Sequence, residues 1–131
     1  MKISIITVTY NSSKTVDRTI ESVLHQSYPN IEYWVIDGNS TDGTVDKLKR
    51  YENKFEKRRY GKFHWISEPD NGIYDAMNKG IEKSTGEIVG ILNSDDWFTT
   101  NDVVEKIVKA FTDDIDAVYG DIYTVQKNFV S

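Results

Sequence analysis

Cysteine is absent from the chain, and with it go disulfide frameworks and thiolate metal sites. No apolar run approaches the roughly 20 residues of a membrane-spanning helix. The start carries a lysine before a short apolar run, but Thr7, Thr9, Tyr10 and Asn11 cut that run too short for a signal peptide. Basic charge is scarce as well. There are 16 lysines and arginines against 21 acidic residues, a net charge of -5. A nucleic-acid partner needs a basic face and is not expected. The two histidines, His25 and His64, lack the spacing of a metal pair or of a base and its nucleophile. Neither GxGxxG nor GxxxxGK(S/T) follows the first apolar run. That argues against a dinucleotide oxidoreductase and a P-loop NTPase. These absences leave a soluble chain, expected in the cytoplasm.

What is present suits one packed domain over residues 1–131, with 38% of residues hydrophobic. Ile3, Ile5, Ile6 and Val8 form a β-branched run that stops at the turn cluster Tyr10-Asn11-Ser12-Ser13. Val16, Ile20, Val23 and Leu24 recur at helical spacing, ending before Pro29-Asn30. A second strand, Ile31 to Ile36, closes at Asp37-Gly38-Asn39-Ser40. A second helix carries Val45, Leu48, Tyr51 and Phe55, with Thr41 or Asp42 as its cap. Phe63, Trp65 and Ile66 read as a third strand, and Gly72 to Lys83 as a third helix. Glu87 to Leu92 is a fourth strand, followed by the helical stripe Val103, Val104, Ile107, Val108 and Phe111. Ala117, Val118 and Tyr119 read as a fifth strand.

This alternation predicts an α/β domain with a mostly parallel central sheet and helices on both faces. Ligands of such sheets bind beyond the carboxyl ends of the strands. The first four strands end in Thr9-Tyr10-Asn11, Asp37-Gly38-Asn39, Glu68-Pro69-Asp70-Asn71 and Asn93-Ser94-Asp95-Asp96. Topology therefore gathers four polar endings on one rim.

Asp95-Asp96 are adjacent carboxylates beyond a buried strand. A hard divalent cation shared with substrate phosphates suits them, and solvated turn residues are the plainer account. Asp37 could accept hydrogen bonds from a base or ribose, or could start the next helix through an Asx-turn. Tyr10 could stack on a base beside Thr9 and Asn11, or the cluster could be a plain N-cap. Asp75, Asn78 and Lys79 share a helix face at i, i+3 and i+4. An Asp75–Lys79 ion pair explains two of them. Asn78, a poor helix former, hints at a specific hydrogen bond. The basic run from Lys54 to Lys62 reads as a solvated helix end and loop, with a membrane-surface or acidic-partner contact as the other reading.

Taken together, these segments resemble the N-terminal nucleotide-sugar-binding portion of family 2 glycosyltransferases with the Rossmann-like GT-A fold. The carriers are Ser4 to Asn11, Ile36 to Thr44, Asn71 to Gly80, and Gly86-Glu87 leading to Leu92-Asn93-Ser94-Asp95-Asp96. The resemblance covers nearly the whole chain. It implies inverting transfer of a sugar from a nucleoside-diphosphate donor, often a UDP-sugar, to a glycan or glycoconjugate acceptor. By position it implies that Thr9, Tyr10 and Asn11 border the nucleoside and that Asp37 meets the base. Asp95 would lie by the ribose and sugar, and Asp96 would bind Mn²⁺ or Mg²⁺ against the diphosphate. Asp75, Asn78 and Lys79 would flank the donor side. Val8, Gly38 and Asn93 stand where many relatives carry Pro, Asp and Asp. Relatives continue into an acceptor-binding half that supplies the general base, and no matching motif follows Tyr119. The expectation is a donor half without that second half.

Two other classes compete. A non-catalytic module could keep the fold and act in nucleotide binding or self-associate through an uncovered sheet edge or apolar face. In either class the chain could attach peripherally to the inner face of a membrane. A nucleotidyltransferase shares carboxylate–metal chemistry but needs a glycine-rich, basic loop near the first strand, where this chain has Asn11-Ser12-Ser13-Lys14.

Overall fold

The structure is a computed structural model that describes residues 1–58, 62–112 and 123–126. The chain alternates β1 (Ile3–Thr9), α1 (Val16–Leu24), β2 (Ile31–Asp37), α2 (Thr44–Glu56), β3 (Lys62–Ser67), α3 (Ile73–Lys83), β4 (Ile88–Ile91), α4 (Val103–Thr112) and β5 (Tyr123–Gln126). The strands form one sheet in the order β3-β2-β1-β4-β5. The first four are parallel, and β5 runs antiparallel beside β4. The strand expected at Ala117 to Tyr119 lies outside the described residues.

Alternation along the strands splits the core into two layers, because successive side chains point to opposite faces. Ile3, Ile5, Tyr33, Val35 and Ile88 face one way, against the stripes of α1, α2 and α4. Ile6, Ile36 and Val89 face the other way, against Ala76 of α3. The α3 helix approaches β1 closely. A Cβ on Gly80 would lie 2.6 Å from Cγ2 of Ile6, so only glycine fits there without repacking.

The lower edge of the sheet, at the strand starts, is sealed by Glu32. Its carboxylate is buried and accepts from Ser4 Oγ, Thr85 N–H and Thr85 Oγ1 at 2.7–2.9 Å. Burial alone would raise its pKa, but those donors outweigh it and hold the group below the usual range. Arg58 belongs to the basic run yet reaches back to the loop that follows α1, donating to the carbonyls of Gln26 and Tyr28 at 2.7 and 3.3 Å. It ties two elements together, where the sequence suggested a solvated end.

The order of the strands reverses at β1. The chain proceeds outward to β2 and β3, then returns to place β4 on the other side. That reversal opens a crevice above the carboxyl ends of β1 and β4, the expected place for a ligand.

Candidate nucleotide-sugar site

All four strand endings meet on the predicted rim. A cleft of about 660 Å³ opens there, lined by Val8, Thr9, Tyr10, Ser12, Gly38, Asn39, Pro69, Asp70, Gly72, Ile73 and Ser94. Each of the first four strands contributes to it. Tyr10 is 67% exposed, and its ring stands free at the mouth. Besides Met1, the exposed large hydrophobic residues among those described are Tyr10, Ile73, Tyr74 and Trp97. All four lie in loops or a helix start on this rim, and such a group marks a surface that meets a ligand or partner.

The floor of the cleft is built by hydrogen bonds rather than by apolar packing. Asp37 is fully buried. Its Oδ1 accepts from Thr9 Oγ1 at 2.7 Å and Ser40 Oγ at 2.6 Å. Its Oδ2 accepts from Ser40 N–H and Ser67 Oγ, both at 2.8 Å. A carboxylate has about four acceptor sites, so Asp37 has none left for a base. It fastens β1, β2 and β3 at their upper ends, and the cleft lining does not include it.

Asn11 acts similarly. It sits in the left-handed region at φ 47°, donates its N–H to Ser40 Oγ at 2.8 Å and accepts Thr41 N–H at 2.9 Å. The expected N-cap by Asn11, Ser12 or Ser13 is absent. Helix α1 begins later, with Thr15 at the cap position and no side-chain bond there. Those residues instead lace two rim loops together. Asp42 joins them, accepting from Ser13 N–H at 3.0 Å and from Thr44 N–H and Oγ1 at 3.1 and 2.6 Å. The Thr44 hydroxyl foremost, then the Ser13 and Thr44 amides, hold Asp42 well below the usual carboxylate range.

The Asp95-Asp96 turn is held from beneath. Buried Thr19 of α1 donates toward the carbonyls of Ser94 and Asp96 at 2.9 and 2.6 Å. The carboxylates themselves are left nearly unengaged. Asp96 is half-buried and, among the described residues, accepts only Asn93 Nδ2, at 3.3 Å. Asp95 is exposed and borders a smaller hollow of about 180 Å³ with Lys14, Thr15, Arg18 and Trp97. Arg18 lies over the Trp97 ring, 4.5 Å from its centroid.

The face of α3 is less tied to the cleft, whose lining takes Gly72 and Ile73 from that segment. Asp75 accepts Asn71 N–H at 3.0 Å and stands 3.8 Å from Lys79 Nζ. Lys79 pairs more closely with Glu68, at 3.1 Å. The Glu68 contact chiefly, with Asp75 and Asp70 nearby, raises the ammonium pKa above its ordinary value. Asn78 is exposed, and its side chain makes no hydrogen bond among the described residues. The bond that its mid-helix position suggested is not formed among the described residues.

The strand endings point to Gly38, Asp70 and Ser94 only as neighbours of the candidate residues, and nothing in the sequence singles out Thr19. Asp70 was visible as part of the third strand ending. Thr19 gave no sign, since its role rests on a contact across 75 positions of sequence.

The chain matches the Glycosyl transferase family 2 profile over residues 4–131. It belongs to that family. An uncharacterised glycosyltransferase of Mycobacterium tuberculosis is 40% identical over 111 residues, covering 84% of this chain and 40% of the relative. The crystal structure of S. aureus TarS 1-349 in complex with UDP-GlcNAc is 31% identical with a TM-score of 0.70, covering 87% of this chain and 32% of that one. The mannosyltransferase PcManGT from Pyrobaculum calidifontis, solved with GDP-Man and Mn²⁺, shares the fold at a TM-score of 0.79 and 20% identity, covering 95% of this chain and 44% of that one. The fold is GT-A. The chain thus spans well under half the length of these relatives. Among the described residues, no helix is long and apolar enough to cross a membrane.

Proposed function

We propose that this chain forms the donor side of a glycosyltransferase, holding a nucleoside-diphosphate sugar of the UDP class for inverting transfer to a glycan or glycoconjugate acceptor. The observation that carries the reading is the rim cleft itself. It carries an open aromatic ring, and its lining reaches Ser94, the residue before the two under-used carboxylates, above the ends of four parallel strands. Tyr10 would stack on the base. Thr9, Asn11 and Asp37 would shape the pocket beneath it through their mutual bonds. Asp95 would lie toward the ribose and sugar, and Asp75, Asn78 and Lys79 would border the donor side.

The residues fit a divalent cation of one particular kind. Mg²⁺ and Mn²⁺ can sit on one or two carboxylates when phosphate and water complete the shell. Asp96, with its single long bond, and exposed Asp95 meet that need. Among the described residues no group of three His, Cys, Asp or Glu side chains could hold an ion alone. The donor set therefore suits an ion that arrives with the ligand's diphosphate. Bound there, it would offset the charge on the leaving diphosphate. The neighbours solved with UDP-GlcNAc and with GDP-Man and Mn²⁺ support both halves of the reading. The general base for the acceptor hydroxyl is assigned to no residue of this rim.

Calorimetry tests the reading. UDP should bind in the presence of Mn²⁺, and its affinity should fall at least about tenfold when the cation is removed or Asp96→Ala is introduced. Failure of every nucleoside diphosphate to bind would refute it, and self-association without binding would favour a non-catalytic module.

A further inference from the structure

We propose that Asp70 is the residue that reads the base, and that Gly38 is glycine in order to make room for its carboxylate. This rests on the donor-cleft reading and names the base it selects: uracil, through its ring N–H, over cytosine.

Three observations converge. First, Asp37 is out of the running, because its acceptor sites are filled from within the chain. Second, Asp70 is half spent. Its Oδ1 accepts Gly72 N–H at 3.0 Å, while Oδ2 receives no donor among the described residues. Third, that oxygen occupies the space a side chain at position 38 would take. A Cβ built on Gly38 would lie 2.9 Å from Asp70 Oδ2 and 3.3 Å from Cδ1 of Tyr10. Gly38 is not among the positive-φ residues, so backbone conformation does not demand glycine. Space does.

Tyr10, Gly38 and Asp70 all line the cleft. A base lying on the Tyr10 ring would therefore meet one unengaged carboxylate oxygen near its edge. An ionised carboxylate only accepts. The N3–H of uracil satisfies it, whereas cytosine presents a lone pair at the same ring position. An unmet or repelled acceptor in a ligand pocket discriminates more strongly than a missing apolar contact.

The test is calorimetry of the 131-residue chain with UDP and with CDP, each in the presence of Mn²⁺. Wild type should prefer UDP. Asp70→Ala should lower UDP affinity by roughly 10- to 100-fold, the range for a lost hydrogen bond to a charged group, and leave CDP nearly unchanged. Asp70→Asn keeps an acceptor for Gly72 N–H and adds a donor, so it should narrow the UDP–CDP gap without loosening the loop. Gly38→Ala should weaken UDP binding by displacing the carboxylate, with Tm held within about 2 °C. Gly38→Asp placed in the Asp70→Ala background should restore the preference for UDP. An unchanged UDP-to-CDP ratio in Asp70→Ala, while Asp96→Ala still weakens UDP binding at least about tenfold, overturns this proposal alone. If wild type binds neither nucleotide, the donor-cleft reading falls and this proposal with it.

Discussion

Asp37, ending β2, and Asp96, just past the end of β4, are the same residue type on the same rim in opposite conditions. Asp37 is buried and holds four donors between 2.6 and 2.8 Å. Asp96 is half-buried and holds one among the described residues, at 3.3 Å. A buried carboxylate must be fully hydrogen-bonded to offset its desolvation, and once it is, it has nothing to give a ligand. One with solvent access and open acceptor sites tolerates waiting for a ligand. The difference teaches that an aspartate after a strand is not a site by position alone. Its donors decide whether it builds the pocket or serves it.

The comparison is broken most severely through Asp37. Asp37→Ala would orphan the hydroxyls of Thr9, Ser40 and Ser67 together with Ser40 N–H. It should cost about 3 kcal/mol or more in denaturant unfolding and lower Tm by roughly 10 °C. Asp96→Ala should do the reverse, leaving Tm within about 2 °C while removing at least about tenfold of the Mn²⁺-dependent affinity for UDP. If Asp96→Ala unfolds the chain, or Asp37→Ala loses binding without losing stability, the division between the two carboxylates is wrong.

Much of this was legible beforehand because it follows from periodicity and topology. Strand runs of alternating Ile and Val, helical stripes, and the rule that parallel strands end on one rim placed the four polar endings together. What was not legible depended on contacts between distant segments. Nothing in Asp37-Gly38-Asn39 says that Thr9 and Ser67 donate to that aspartate from β1 and β3. Nothing near Asp95 says that Thr19 pins the turn from below. The antiparallel β5 was missed for another reason: Tyr123 to Gln126 is short, and its Thr and Gln give no apolar run to mark it.

Asp42 extends the comparison to pH. It is an exposed loop-builder with three donors. Its pKa is lower in the folded chain than in the unfolded one. Its contribution is then present in full above an unfolded value of about 4 and is lost as pH falls from there through the folded value. Asp42→Asn should flatten the acid limb of the stability curve in that window and change little at neutral pH beyond a constant offset. A wild-type-like acid limb in thermal melts between about pH 4 and pH 2 would show that the two rim loops do not depend on it.

The smallest expected effect lies on α3, where the comparison becomes a sorting test. Asn78 is exposed in the middle of a helix, and its side chain bonds to nothing among the described residues. Alanine is the better helix former by roughly 0.5 kcal/mol, so Asn78→Ala should stabilise the fold by a few tenths to half a kcal/mol. A pocket-building residue cannot give that result, because its removal must cost stability, as with Asp37. A stability gain accompanied by weaker binding of a UDP-sugar, with binding of UDP itself unchanged, would assign Asn78 to the sugar side of the donor. A gain with both affinities unchanged would place it outside the donor site, leaving its amide for whatever meets the outer face of that helix.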